Sequence, residues 1–116
     1  MITATFSSND ETRELCLTVK GHAGQASLGQ DIVCASASIL AYTVAQIIRT
    51  MEHHGDLEGK ALIEMGNGDA TISCRCKDDA IYAEASHTYF VARVGYSLLV
   101  HNYPQFVELK TDGEDI

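Results

Sequence analysis

Basic residues are scarce in this sequence: 8 Lys and Arg stand against 16 Asp and Glu, a formal net charge of −8 at pH 7. Phosphate backbones are held by clustered Lys and Arg, so the shortage argues against direct nucleic-acid binding. A basic protein partner is compatible with it. No basic segment followed by an apolar one opens the chain, and no uninterrupted run approaches the roughly 18 apolar residues of a membrane span. A cytoplasmic location with no membrane association is therefore expected. No Pro/Gly/Ser-rich linker, low-complexity run or shift in composition divides the 116 residues. The expectation is one domain over residues 1–116 with a single modest core. No C-x-x-C spacing joins Cys16, Cys34, Cys74 and Cys76. Without a secretory signal these read as reduced thiols.

What is present is an orderly series of short periodic segments. Ile2, Ala4 and Phe6 alternate with Thr3, Thr5 and Ser7, and Leu15, Leu17 and Val19 alternate with Cys16, Thr18 and Lys20. With Ser8-Asn9-Asp10-Glu11 between them, these form a predicted β-hairpin. Val33, Ala37, Leu40, Val44, Ile47 and Met51 then fall at helical spacing from Ile32 to about Glu52, and Gly55 suits the left-handed residue that ends a helix. Lys60–Met65 and Ala70–Lys77 flank Gly66-Asn67-Gly68-Asp69, which is hairpin chemistry. On the second of these strands Ala70, Ile72, Cys74 and Cys76 share a face. Asp78 and Asp79 can open a second helix over Ala80 to about His101. Ala85, Tyr89, Ala92, Tyr96 and Leu99 make one apolar set, and Phe90, Val94 and Leu98 another. So wide an arc suggests cover from both a sheet and a second subunit. Pro104 stops the helix, 105–110 reads as a last strand, and the acidic tail from Asp112 is expected to fray. The order β-β-α-β-β-α-β implies an α+β two-layer sandwich, a largely antiparallel sheet carrying two main helices.

Chemistry concentrates in Lys20–Ser38. His22 follows the end of the second strand, and a loop punctuated by Gly21, Gly24 and Gly29 leads to Asp31 and Cys34. With Asp31 as N-cap, Cys34 would occupy the third helical position, where free amides and the helix dipole favour a thiolate. A nucleophilic cysteine needs a base, and a folded loop could supply His22. Ser38 lies one turn beyond Cys34 on the same face. Asp31 either orients His22 or caps the helix, the cap being the safer assignment.

Gly21-His22-Ala23, then Gly29-Gln30-Asp31-Ile32-Val33-Cys34-Ala35 and Ser38, resembles the signature of the ribosomal-processing cysteine proteases (the Prp, YsxB-like family). The match departs between Ala26 and Leu28, where many relatives carry bulkier or more polar residues. The resemblance implies that His22 and Cys34 are the catalytic pair of a cysteine endopeptidase. It implies as substrate the N-terminal extension of ribosomal protein bL27, removed after an aromatic residue during large-subunit maturation. It further implies a homodimer and a glycine-containing loop over the site. The loop 23–30 would close over bound peptide. A thiol-based redox sensor and a non-catalytic ribosome-associated binding module are the alternatives.

No cofactor or metal is expected. His53 and His54 are adjacent on a helix and face apart, and Cys74-Arg75-Cys76 supplies only half of a tetrahedral site. Both cysteines are expected in the core, and His87 and His101 at the surface.

Overall fold

A computed structural model describes residues 1–21, 28–66 and 68–113, without the side chains of 28–31 and 113. Seven elements follow in the expected order: β1 (Ile2–Asn9), β2 (Glu14–Lys20), α1 (Leu28–His53), β3 (Leu62–Gly66), β4 (Asp69–Arg75), α2 (Asp79–Asn102) and β5 (Val107–Gly113). The fold is the α+β sandwich anticipated from the pattern. The strands form one sheet in the order β3-β4-β2-β1-β5. All pairings are antiparallel except β1 with β5, which run parallel after the crossover through α2.

Alternation decides which side of the sheet is covered. Ile2, Ala4 and Phe6 of β1, Leu15, Leu17 and Val19 of β2, and Ala70, Ile72 and Cys74 of β4 are buried beneath the helices. The residues between them face the open side. Tyr89 and Tyr96 of α2 are completely buried over this layer, and the Tyr96 ring meets Phe6 edge-on at 5.8 Å. Edge-to-face contact suits the opposed charge of ring rim and ring face.

The five apolar positions expected on α2, Ala85, Tyr89, Ala92, Tyr96 and Leu99, are its buried face. Phe90, Val94 and Leu98 lie outside it, 40%, 43% and 58% exposed. On α1 the buried stripe is Val33, Ala37, Ala41, Val44, Ala45, Ile48 and Met51. Leu40 and Ile47 were expected inside. Ile47 is exposed, and Leu40 turns toward α2, where a Cβ on Gly95 would lie 2.7 Å from its Cδ2. Alanines take three of the seven inward places, at Ala37, Ala41 and Ala45.

By length and composition Ile32–His53 could cross a membrane, contrary to the expectation from uninterrupted apolar runs. Here one side of that segment packs on the sheet. Its hydroxyls at Ser36, Thr43 and Thr50 donate to the carbonyls of Ile32, Ile39 and Gln46, so these polar groups are satisfied within the helix.

The ends follow local chemistry. Asp78 caps α2, its carboxylate accepting from the Ile81 N–H at 2.9 Å. Gly55 adopts φ +77° just past α1, where the Gly55 and Asp56 amides donate to Glu52 and Met51 carbonyls. Residues 66 and 69 close a two-residue turn in which Gly68 has φ +86°. Several boundaries moved, β3 beginning at Leu62 and β4 ending at Arg75 among them. α1 begins at Leu28 rather than after Asp31, β5 begins at Val107 after a turn closed on the Tyr103 carbonyl, and Asp112 belongs to β5 instead of fraying.

Candidate active site

Cys34 stands in the second turn of α1, half-buried, on a cavity of about 150 Å³ between that helix and one end of the sheet. Ala37, Ser38, Ala41 and Tyr42 continue the helical wall. The facing wall comes from Ile2 on β1, Val19 at the end of β2, and Ala70 at the start of β4. Met65, Gly66, Gly68 and Asp69 of the β3–β4 hairpin complete it. Small residues on the helix, Ala37 and Ala41, leave this space open. The surfaces mix apolar side chains with polar groups, Ser38 and Asp69 among them.

Gly21 also lines the cavity, and its backbone explains why no other residue fits there. Its φ is +96°, and a Cβ would collide with the Met1 carbonyl. Its N–H donates to Asp69 Oδ1 at 3.4 Å. The chain thus leaves β2 toward His22 from the cavity wall itself. His22 and Gly24, like most of the expected loop, lie outside the described residues. Leu28–Gln30, counted in the sequence as the end of that loop, form the first turn of α1.

The onset at Leu28 changes two assignments. Asp31 is inside the helix and cannot be its N-cap, and Gly29 is helical. The amides lacking a helical partner are those at the Leu28 end, about a turn before Cys34. The expectation that the helix start favours a thiolate at Cys34 is thereby removed. Ser38 does share the Cys34 face and cavity, as spacing required.

The remaining thiols sit elsewhere. Cys74 and Cys76 are buried, 4% and 0% exposed. A hydrogen bond to Cys74 and burial push the Cys76 thiol well up, while the same hydrogen bond lowers the pKa of Cys74 against its burial. Cys16 is on the open side of the sheet, where burial raises its pKa against the hydrogen bonds of Ser73 and Ser7. Among the described residues no group of three or more His, Cys, Asp or Glu could hold a metal ion. Sequence reasoning did not find Tyr42, Met65 or Asp69. They reach the cavity only because the hairpin and helix fold onto one another, and no local motif marks them.

The model of cysteine protease Prp matches residues 1–107. The chain belongs to this family. A Prp cysteine peptidase accounts for a cysteine opening on a cavity of peptide side-chain size. Solved structures agree in fold. A ribosomal processing protease Prp from Staphylococcus aureus, in complex with a covalently linked product peptide, superposes with TM-score 0.69 at 23% identity, covering 97% of this chain and 100% of that one. The same S. aureus protease with a substrate peptide gives 0.66 at 22%, with the same coverage. SMU.848 from Streptococcus mutans gives 0.67 at 24%, covering 98% and 96%. Among curated proteins none matches the chain.

Proposed function

We propose that this Prp-family peptidase removes the N-terminal extension of ribosomal protein bL27 in the cytoplasm, with Cys34 as nucleophile and His22 as its acid–base partner. The observation that carries the reading is the position of Cys34, half-buried at a cavity whose opposite wall includes Gly21, the residue before His22 in the sequence. His22 takes the thiol proton and the thiolate sulfur bonds to the scissile carbonyl carbon. The imidazolium then protonates the departing amine, and water cleaves the thioester. A cavity of about 150 Å³ has the volume of a benzene-sized group. That size suits an aromatic side chain before the scissile bond. The acidic surface favours a basic ribosomal protein as substrate. The S. aureus relatives carry the description ribosomal processing protease and were solved with product and substrate peptides, in line with this role.

The enzyme acts as a homodimer in this reading. Phe90, Val91, Val94 and Leu98 form an exposed apolar strip on α2, and such strips mark contact surfaces. Sedimentation of the wild type and of Leu98→Glu tests this, with a shift to monomer in the variant.

A synthetic peptide spanning the junction of the bL27 extension and the mature protein, incubated with the enzyme and read by mass spectrometry, tests the function. One cut at the junction is expected, lost in Cys34→Ala and in His22→Ala with both variants folded by circular dichroism. An intact peptide with wild-type enzyme, or turnover near wild type in either variant, overturns the assignment.

A further inference from the structure

The edge of the sheet nearest Cys34 is β3, and its hydrogen-bonding pattern can be fixed from the register. Gly66 and Asp69 close a two-residue turn, which makes them a hydrogen-bonded pair. Alternation then turns the polar backbone of Gly66, Glu64 and Leu62 toward β4, and that of Met65 and Ile63 outward. The rest of the sheet gives the same phase. The Cys76 N–H donates to the Arg13 carbonyl at 2.9 Å, so even-numbered β4 residues face β2. The Arg75 carbonyl accepts from Glu58 at 2.8 Å, so odd-numbered ones face the β3 side. Among the described residues nothing bonds to the outward N–H and C=O groups of Ile63 and Met65.

The two edges of the sheet are not alike. β5 carries Glu108, Lys110 and Asp112, charges that discourage strand addition, whereas Glu64 is the charge on β3. Ile63 and Met65 are opposite the buried Ile72 and Ala70, so their side chains lie on the helix side. Met65 and Gly66 are also walls of the cavity that holds Cys34. The free edge is therefore continuous with the site.

We propose that the substrate binds as an added β-strand along β3, its main chain hydrogen-bonded to Ile63 and Met65 while alternate side chains point toward the Cys34 cavity. This rests on the peptidase reading above and specifies how that site holds its substrate. The ligand is an extended peptide. Residues on its helix side are apolar, and a basic side chain on the other side meets Glu64. Main-chain bonds supply affinity and the cavity supplies selection, as in other strand-addition sites.

The test uses fluorescently labelled junction peptide, binding to Cys34→Ala protein by anisotropy, with single N-methyl groups placed along the peptide. Strand addition expects a period of two: methylation at alternate amides weakens binding roughly tenfold, and methylation between them is tolerated. Ile63→Pro removes one outward N–H without touching the ladder to β4, a place where an edge strand accepts proline. It is expected to weaken binding of the unmodified peptide by a similar factor while its circular dichroism is retained. Uniform tolerance of N-methylation, wild-type affinity in folded Ile63→Pro, or no binding to Cys34→Ala each overturns the proposal. Should Ile63→Pro not fold, the methyl scan decides alone. Cleavage by the wild-type enzyme, run in parallel, tells whether the peptidase reading stands apart from the binding mode.

Discussion

The Tyr96 hydroxyl donates to the main-chain carbonyl of Ala37 at 2.7 Å, fastening α2 to the segment of α1 that carries Cys34. Tyr96 is fully buried and Ala37 nearly so, and Ala37 is itself a wall of the Cys34 cavity. Burial pushes the phenol pKa upward, so the hydroxyl remains a donor throughout the neutral range.

Removing that hydroxyl tests the link. Tyr96→Phe keeps the ring against Phe6 and is expected to cost about 1 kcal/mol, the usual net worth of one such bond. Urea unfolding would measure this. Peptide cleavage is expected to fall as α1 loosens, with the midpoint of unfolding lowered and its slope unchanged.

Alkaline pH provides a second measurement. Burial raises the pKa of Tyr89, and burial with the bond to Asp10 carries Tyr82 up to about 12. Unfolded tyrosine titrates near 10. The folded values are higher, so this contribution to stability is complete below about pH 10. It is lost as pH rises toward the folded values. Tyrosinate absorbance and circular dichroism, recorded together above pH 10, should show part of the tyrosine titration arriving only with unfolding. Tyr82→Phe should weaken the dependence of stability on pH between about 10 and 12.

Gly21→Ala is expected to damage stability and cleavage together. A side chain at φ +96° costs about 1–2 kcal/mol before its collision with the Met1 carbonyl is counted. Thermal melting and peptide turnover would check the two losses. Gly55→Ala is the control, because it has a similar φ of +77°, open space around it, and no place in the cavity.

Limiting iodoacetamide should modify Cys34 first. Cys74 and Cys76 are closed off from solvent, and burial holds the Cys16 thiol protonated. Peptide mapping after brief treatment would give the order of labelling, with Cys16 the expected second.

Most of the fold was legible because its signals are local. Period-two alternation gave both hairpins, Gly68 and Gly55 marked turns that need positive φ, and the five inward residues of α2 were all readable from spacing. The parallel pairing of β1 with β5 was not, because it joins segments separated by nearly the whole chain. The start of α1 was misplaced for a physical reason. Asp31 has the chemistry of a cap, yet the helix continues back through Gly29 to Leu28, and propensity at one residue does not fix an end. In the candidate site, Cys34 was picked out by the motif around it, and Ser38 followed from helical spacing, which places both on one cavity. Met65, Tyr42 and Asp69 could not follow, since only the packing of hairpin on helix brings them to the cavity.

The pairing of β1 with β5 also bears on timing. Ile2 is at once a wall of the cavity and the partner of Val107, and its amide bonds to the Phe106 carbonyl at 2.8 Å. β1 therefore waits for β5, more than a hundred residues later, before it is held on both sides. Contacts between such distant segments form late and slowly. A nascent chain ending before Phe106 would lack this support and is expected to be inert. Activity is then expected only once β5 has emerged and paired with β1.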